Sequence, residues 1–355
     1  MIGERIKLAR RAAGLSLREL ASRVGVSPQA ISKYERGLDM PSSGVLLRLA
    51  EALGVKVEYF FRTRSVNLSV PSYRKKSTLR RRQEEKILAQ IQDWLERYLE
   101  VEELFYPSDV IVRFALPEGI NPKITTPEEA ERVAEELRMA WQLGLDPIEN
   151  LTELLEDKGI KVGLMEGTEG FDACTFTIED NTPVIAVRRD IPGDRQRFSL
   201  AHELGHIFLQ PVQEVDMEKA ANRFAAAFLV PAQMARRELG EHRHAINLYE
   251  LHLLKHKYGF SMQAWIYRAK DLGIITETAY RRLQRQISQH GWRRKEPGDE
   301  LPPEEPKRME RLVMRALAED LISESRAAEL LAMPLTEFWQ EVAKRHGGLP
   351  ADIRN

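Results

Sequence analysis

Phe198-Ser199-Leu200-Ala201-His202-Glu203-Leu204-Gly205-His206-Ile207-Phe208-Leu209 is the stretch on which the reading of this chain turns. Phe198, Ala201, Leu204, Ile207 and Phe208 recur at intervals of three and four, which predicts a helix with one apolar face, and Pro211 ends the run. Residues four apart on a helix lie one turn above the other, so His202 and His206 can present two imidazoles to one ion. Glu203 lies beside that face. Two imidazoles and an adjacent carboxylate are what a zinc hydrolase needs: the ion acidifies a water and the carboxylate takes its proton. Two histidines and a glutamate on a helix this apolar would be costly to bury without a ligand, which strengthens the expectation of Zn2+.

A catalytic zinc needs a third protein ligand and an open position. Glu214, Asp216 and Glu218 are the downstream candidates. A second helix is expected from Met217 to Pro231, with Ala221, Phe224, Ala225 and Phe228 on its buried face. Glu218 extends that face by one turn, whereas Glu214 and Asp216 precede the helix, so Glu218 is the expected third ligand. Asn222, one turn further on, is placed to hold a ligand from behind. The alanine run lets this helix approach the first closely. Short strands are expected over 160–165, 173–178 and 183–188, with a turn over 179–182, as a small antiparallel sheet. An exposed edge strand there could pair with an extended peptide.

The chain has 355 residues, enough for two or three domains, and the hydrophobic fraction of 43% is ordinary. The charged N-terminus is unlike a signal peptide and there is no long apolar run, so a cytoplasmic protein without membrane insertion is expected. The single cysteine, Cys174, excludes an internal disulfide and leaves metal binding to histidine and carboxylate. Formal net charge is −1, yet residues 1–61 carry ten Lys/Arg against six Asp/Glu, and residues 62–82 carry eight basic residues and no acidic one. That asymmetry points to a polyanion at the N-terminal end.

Residues 1–61 contain about five short helical patterns. Ser16 with Glu19 three residues on forms a capping box, Gly25 permits a tight turn, and Ser27 caps a third helix with Pro28 at its first position. Two short helices joined at Gly25 suit a helix-turn-helix, whose second helix enters the major groove. Gln29, Ser32, Lys33 and Arg36 face outward there, and Gln and Lys can read adenine, guanine or phosphate. Leu15-Ser16-Leu17-Arg18-Glu19-Leu20-Ala21, followed by Val24 to Gly37 and Pro41, resembles the phage-repressor (Xre) helix-turn-helix almost residue for residue. The resemblance adds Arg10, as a phosphate contact, and Arg18 to the expected DNA-binding set. Pro28 departs from relatives with a polar base-reading residue at that position.

Residues 62–82 read as a basic linker, able to lie along phosphates. Residues 83–125 carry a long amphipathic helix that needs a partner surface, either core packing or a dimer seam. In the second domain, 126–295, a helix starts at Thr126 and another is opened by Pro147 and closed by Gly159. His242, His244, His252, His256, Tyr258 and Tyr267 are candidates for steadying an oxyanion, with nothing in their spacing to select among them. Residues 292–303, Pro-rich and charged, read as a linker or surface loop before a helical accessory unit at 304–355. The chain is thus expected to be multidomain and mainly α: a five-helix repressor-like domain, an α+β zincin-like domain, and a helical tail.

Arg195-x-Arg197-Phe198-Ser199-Leu200-Ala201-His202-Glu203-Leu204-Gly205-His206, then Glu218-Lys219-x-x-Asn222-Arg223-Phe224-Ala225-Ala226 and Leu229-x-Pro231, resembles the ImmA/IrrE family of zinc metallopeptidases. Tyr258 to Gly273 is similar to that family's C-terminal portion. The resemblance implies a gluzincin-like metalloendopeptidase with His202, His206 and Glu218 on zinc and Glu203 as base. It implies protein substrates of the repressor or antitoxin type in stress or mobile-element responses. Ala220 departs from a pattern in which a second Glu is common. The expected partners are operator DNA, a regulatory protein and a second copy of the chain. The other expectation is a transcription factor or antitoxin whose zincin-like domain senses a metal or small ligand without catalysis.

Overall fold

The structure, a computed structural model, describes residues 2–62, 65–66, 68, 81–106, 111–166, 170–178 and 181–345. Most of the basic linker, 62–82, lies outside the described residues, as do positions 179–180 of the expected turn. The fold is multidomain and mainly α, with sixteen α-helices among the described residues. These residues form two units: one from 1–67, 80–112 and 307–355, the other from 68–79 and 113–306.

In the first unit α1 (Ile2–Ala12), α2 (Leu17–Val24), α3 (Pro28–Glu35) and α4 (Ser43–Leu53) are followed by a 3-10 turn, Val57–Phe61. Local chemistry sets their limits. Ser16 and Glu19 close a capping box on α2, Gly25 ends it in the left-handed region, and Ser27 accepts the Ala30 N–H at the start of α3. Ile6, Leu20, Ile31, Leu49 and Phe60 are fully buried between these helices. The expected connector is the helix α5 (Arg81–Glu103), which packs on α1 through the buried ion pair Arg5–Glu96.

In the second unit, β1 (Lys123–Ile124) is followed by a 3-10 turn at Pro127–Glu129 and by α6 (Ala130–Ala140). α7 (Leu151–Asp157) begins four residues later than Pro147 suggests, because the Asn150 side chain caps it by accepting the Glu153 N–H at 2.9 Å. β2 (Lys161–Met165), β3 (Ala173–Thr177) and β4 (Pro183–Arg188) form a sheet in the order β2-β4-β3. It is mixed, not wholly antiparallel: β3 pairs with β4 antiparallel, but β2 pairs with β4 parallel. The reason lies in β4. Val184, Ile185, Ala186 and Val187 are all fully buried, a continuous apolar run that suits a central strand covered on both faces. β2 and β3 are left as the edges.

α8 (Gly193–Phe208) and α9 (Met217–Leu229) are joined across β5 (Gln210–Pro211), which pairs with β1. α10 (Ala232–Leu239), α11 (Leu248–Tyr258), α12 (Met262–Asp271) and α13 (Glu277–Gln289) complete the helices of this unit. The Pro-rich stretch read as a loop is instead built into it. Glu296 accepts the Met262 and Gln263 N–H groups at 3.0 Å each, capping α12, and pairs with the buried Lys255 at 3.1 Å. The Leu301 carbonyl accepts the Gly193 N–H at 2.8 Å, at the start of α8. Glu304 accepts the Leu151 and Thr152 N–H groups at 3.1 and 2.7 Å, capping α7, and pairs with Arg197 of α8.

The tail consists of α14 (Arg308–Ala318), α15 (Glu324–Leu330) and α16 (Leu335–Arg345). It is not a separate accessory unit. Tyr98, Val101 and Phe105 of the α5 segment share a core with Leu312, Val313, Ala328 and Phe338, so the unpartnered face of α5 is covered by the tail. Among the described residues no helix is long and apolar enough to cross a membrane.

Candidate functional site

The two helices of the motif meet at a glycine. A Cβ added at Gly205 would lie 3.2 Å from Ala221 Cα and 3.3 Å from Phe224 Cβ, so α8 and α9 approach backbone to backbone at this level. That closeness carries Glu218, in the first turn of α9, over the histidines. His202 Nε2 and His206 Nε2 are 3.1 Å apart, and the Glu218 carboxylate oxygens stand 3.5 and 3.6 Å from them. All three ligand atoms lie within 4.8 Å of one another. Two nitrogens on a tetrahedral zinc at the usual bond length are separated by about 3.3 Å, close to what the imidazoles already show.

The charge state of the donors fits a cation. Burial, and next to it His202, pushes the His206 pKa down to about 4, so this imidazole is neutral at pH 7 and offers a lone pair. Burial works against protonating His202 as well, but the Glu218 carboxylate, with Glu203 and Asn222, outweighs it and raises the pKa. A pocket that draws a proton between two carboxylates is one of negative potential, which a metal ion would meet in the proton's place. Asn222 Oδ1 lies 3.0 Å from His202 Nδ1 and takes its hydrogen, leaving Nε2 as the ligating atom. Asp216 instead caps α9 by accepting the Lys219 N–H at 3.1 Å and stands outside the cluster. Glu214 is exposed.

Glu203 is buried beside these residues and accepts a hydrogen bond of 2.7 Å from Thr175 Oγ1. Thr175 sits on the edge strand β3 and was not legible as part of the site, because the contact spans twenty-eight positions. Of the oxyanion candidates, Tyr258 is buried and donates to Glu238 at 2.9 Å, which withdraws it. His252 and His256 lie on α11, not between helices, with their rings 4.7 Å apart. His242 and His244 are exposed, and Tyr267, half-exposed, packs on Tyr280.

Residues 6–60 match the family model described as helix-turn-helix, and residues 155–270 match the one described as IrrE N-terminal-like domain. The chain joins a helix-turn-helix domain to an IrrE-like domain of metallopeptidase type. A transcriptional regulator in the ATPase CF(0) region of Rhodospirillum rubrum is 45% identical over 60 residues, 17% of this chain and 56% of its own length. An HTH-type transcriptional regulator of Mycobacterium tuberculosis is 45% identical over 59 residues, 17% of this chain and 42% of its own. Multiprotein-bridging factor 1 of Candida albicans is 36% identical over 75 residues, 21% of this chain and 46% of its own. The chain thus spans about half the length of the curated relatives it matches.

The helix-turn-helix domain places its expected DNA-facing residues unequally. Gln29, Lys33 and Arg36 are exposed on or just after α3, Ser32 is half-buried, and Arg18 is exposed on α2. Arg10 does not stand free: Nε and Nη2 hold the Glu35 carboxylate at 2.5 and 2.9 Å, and Nη1 donates to the Leu15 carbonyl at 2.8 Å. Its guanidinium braces α1 against α3.

Proposed function

We propose that this chain is a DNA-binding transcriptional regulator whose IrrE-like domain is a zinc-dependent metallopeptidase. Its substrate is a partner regulatory protein of repressor or antitoxin type, cleaved in a stress or mobile-element response. The observation that carries the reading is the convergence of His202, His206 and Glu218, from two helices, with Glu203 beside them. A purely structural cluster would have no use for a buried carboxylate next to the ligands. His202, His206 and Glu218 would hold the zinc, and a zinc ion bound there supplies Lewis acidity, easing deprotonation of water and polarising a carbonyl. Glu203, steadied by Thr175, takes the proton of the attacking water and returns it to the leaving amine. The edge strand β3 offers an extended peptide a partner beside Glu203.

On the DNA side, α3 reads base edges through Gln29 and Lys33, with Ser32, Arg18 and Arg36 alongside, in a homodimer on two half-sites. The test of the peptidase reading is Glu203→Gln, which keeps the ligands and removes the base. Zinc content should stay at the wild-type level while cleavage of the repressor or antitoxin co-expressed with the chain falls by about 10²-fold or more. Regulation in cells that survives this exchange would refute the reading.

A further inference from the structure

A second feature of the IrrE-like domain adjoins the metal cluster. On α8 the residue one turn before His202 is Phe198, and on α9 the residue one turn after Asn222 is Ala226. The faces that carry His206-His202 and Glu218-Asn222 therefore continue, each by one turn, in the same direction. Phe198, Asn222 and Ala226 all line one cavity of about 970 Å³. Phe260, Ala264 and Tyr267 add apolar lining from α12 and the turn before it. Asn222 belongs to both places, touching His202 and lining the cavity.

The cations along the cavity differ in how far they are spent. Arg223 and Arg268 share Glu131, Lys255 is held by Asp194 and Glu296, and Lys219 meets Glu128 at 3.2 Å. Arg293 and Arg294, exposed at the rim, meet no carboxylate among the described residues. The inner wall thus combines an apolar strip with charges that neutralise one another, while the mouth carries two uncompensated positive charges.

We infer that this cavity is the specificity subsite of the proposed peptidase, and that it takes a bulky apolar side chain flanked by an acidic residue. The inference rests on the peptidase reading for its reaction. Depth comes from the cavity, which accommodates a Phe, Leu or Trp side chain beside Phe198 and Ala264, and the flank comes from Arg293 and Arg294. A peptide anchored there runs past Asn222 toward His202, which brings its next bonds to the metal cluster. Ala264, whose side chain lines the wall, and the two rim arginines are the specificity-determining positions.

The experiment uses the full chain as Glu203→Gln, zinc-loaded, so that bound peptides survive, against a phage-displayed random peptide library. Captured sequences should be enriched in a large apolar residue with Asp or Glu within two positions. Adding Ala264→Trp, which blocks the part of the cavity beside Phe198, should lower capture about tenfold or more at unchanged zinc content. Adding Arg293→Glu with Arg294→Glu, both at the exposed rim, should turn the flanking preference from acidic to basic. Absence of enrichment over bare beads would overturn the inference, as would enriched sequences that neither set of changes alters. Hydrolysis of the captured peptides by the unaltered chain is read separately. Capture without hydrolysis sinks the peptidase reading and leaves the subsite standing; hydrolysis with indifferent selection sinks the subsite alone.

Discussion

Glu304→Ala tests whether the Pro-rich segment is part of the IrrE-like domain or merely passes over it. The Glu304 carboxylate accepts the Leu151 and Thr152 N–H groups at the start of α7 and pairs with Arg197, whose side chain is 7% exposed. Losing a helix cap costs about 1 kcal/mol. Stranding a buried cation costs about 3–5 kcal/mol, and the low end applies because Arg197 still donates to the Ile148 carbonyl at 2.7 Å. The sum is about 4 kcal/mol, which for a domain of this size lowers the melting temperature by about 8–16 °C. Glu304→Gln separates the two contributions, since an amide oxygen can still cap α7 while the charge is gone, and should cost about 3 kcal/mol. Combining it with Arg197→Met removes the stranded cation and should restore about 1–2 kcal/mol. The assay is thermal unfolding of the zinc-loaded full chain followed by calorimetry. A shift below about 2 °C for Glu304→Ala, or strict additivity in the double variant, would refute the assignment of this segment to the domain.

Four further outcomes follow from other residues. Burial opposes ionisation of Glu131, but hydrogen bonds and charge from Arg268 and Arg223 override it and hold its carboxyl below the usual range. A depressed carboxyl contributes stability above its unfolded pKa of about 4.3 and loses it as pH falls through the folded value, so Glu131→Gln should cost about 3 kcal/mol at pH 7 and progressively less below pH 4. Melts of both proteins from pH 7 to 3 check this; a constant difference would contradict it. Gly205→Ala should push α8 from α9 by a few tenths of an ångström, cost about 1–3 kcal/mol and weaken zinc binding in a chelator competition. Unchanged affinity and stability would show that the close approach is slack. In the helix-turn-helix domain, Gln29→Ala should cost about 1–3 kcal/mol on its operator. Arg10→Ala, which removes the brace to Glu35, should lower the melting temperature, and an unchanged melt would show that brace to be slack.

What could be read along the chain was what local chemistry decides. Ser16 and Glu19 satisfy each other's backbone three residues apart, and Gly25 supplies a left-handed turn on its own, so the helix-turn-helix stands out from a few residues. His202 and His206 are one turn apart on one helix, and Asp216 marks itself as a cap immediately before the first turn of α9, which leaves Glu218 facing them. Other features depend on partners far away in the chain. Thr175 reaches Glu203 only because β3 lies at the sheet edge beside α8, and nothing in Ala173–Thr177 distinguishes that hydroxyl from any other strand threonine. The same holds for Glu296 and Glu304: by composition the first belongs to a charged, Pro-rich linker and the second to the start of the tail, but the N–H groups they accept belong to helices that begin 34 and 153 positions earlier. Helix starts leave N–H groups that some acceptor must satisfy. α7 and α12 carry Asn150 and Ser261 as their own caps, and each cap meets a single N–H of the first turn. The remaining N–H groups are therefore where a distant carboxylate finds its place, and a charged segment after a helical domain is a candidate to supply one whenever the caps within that domain fall short of the donors.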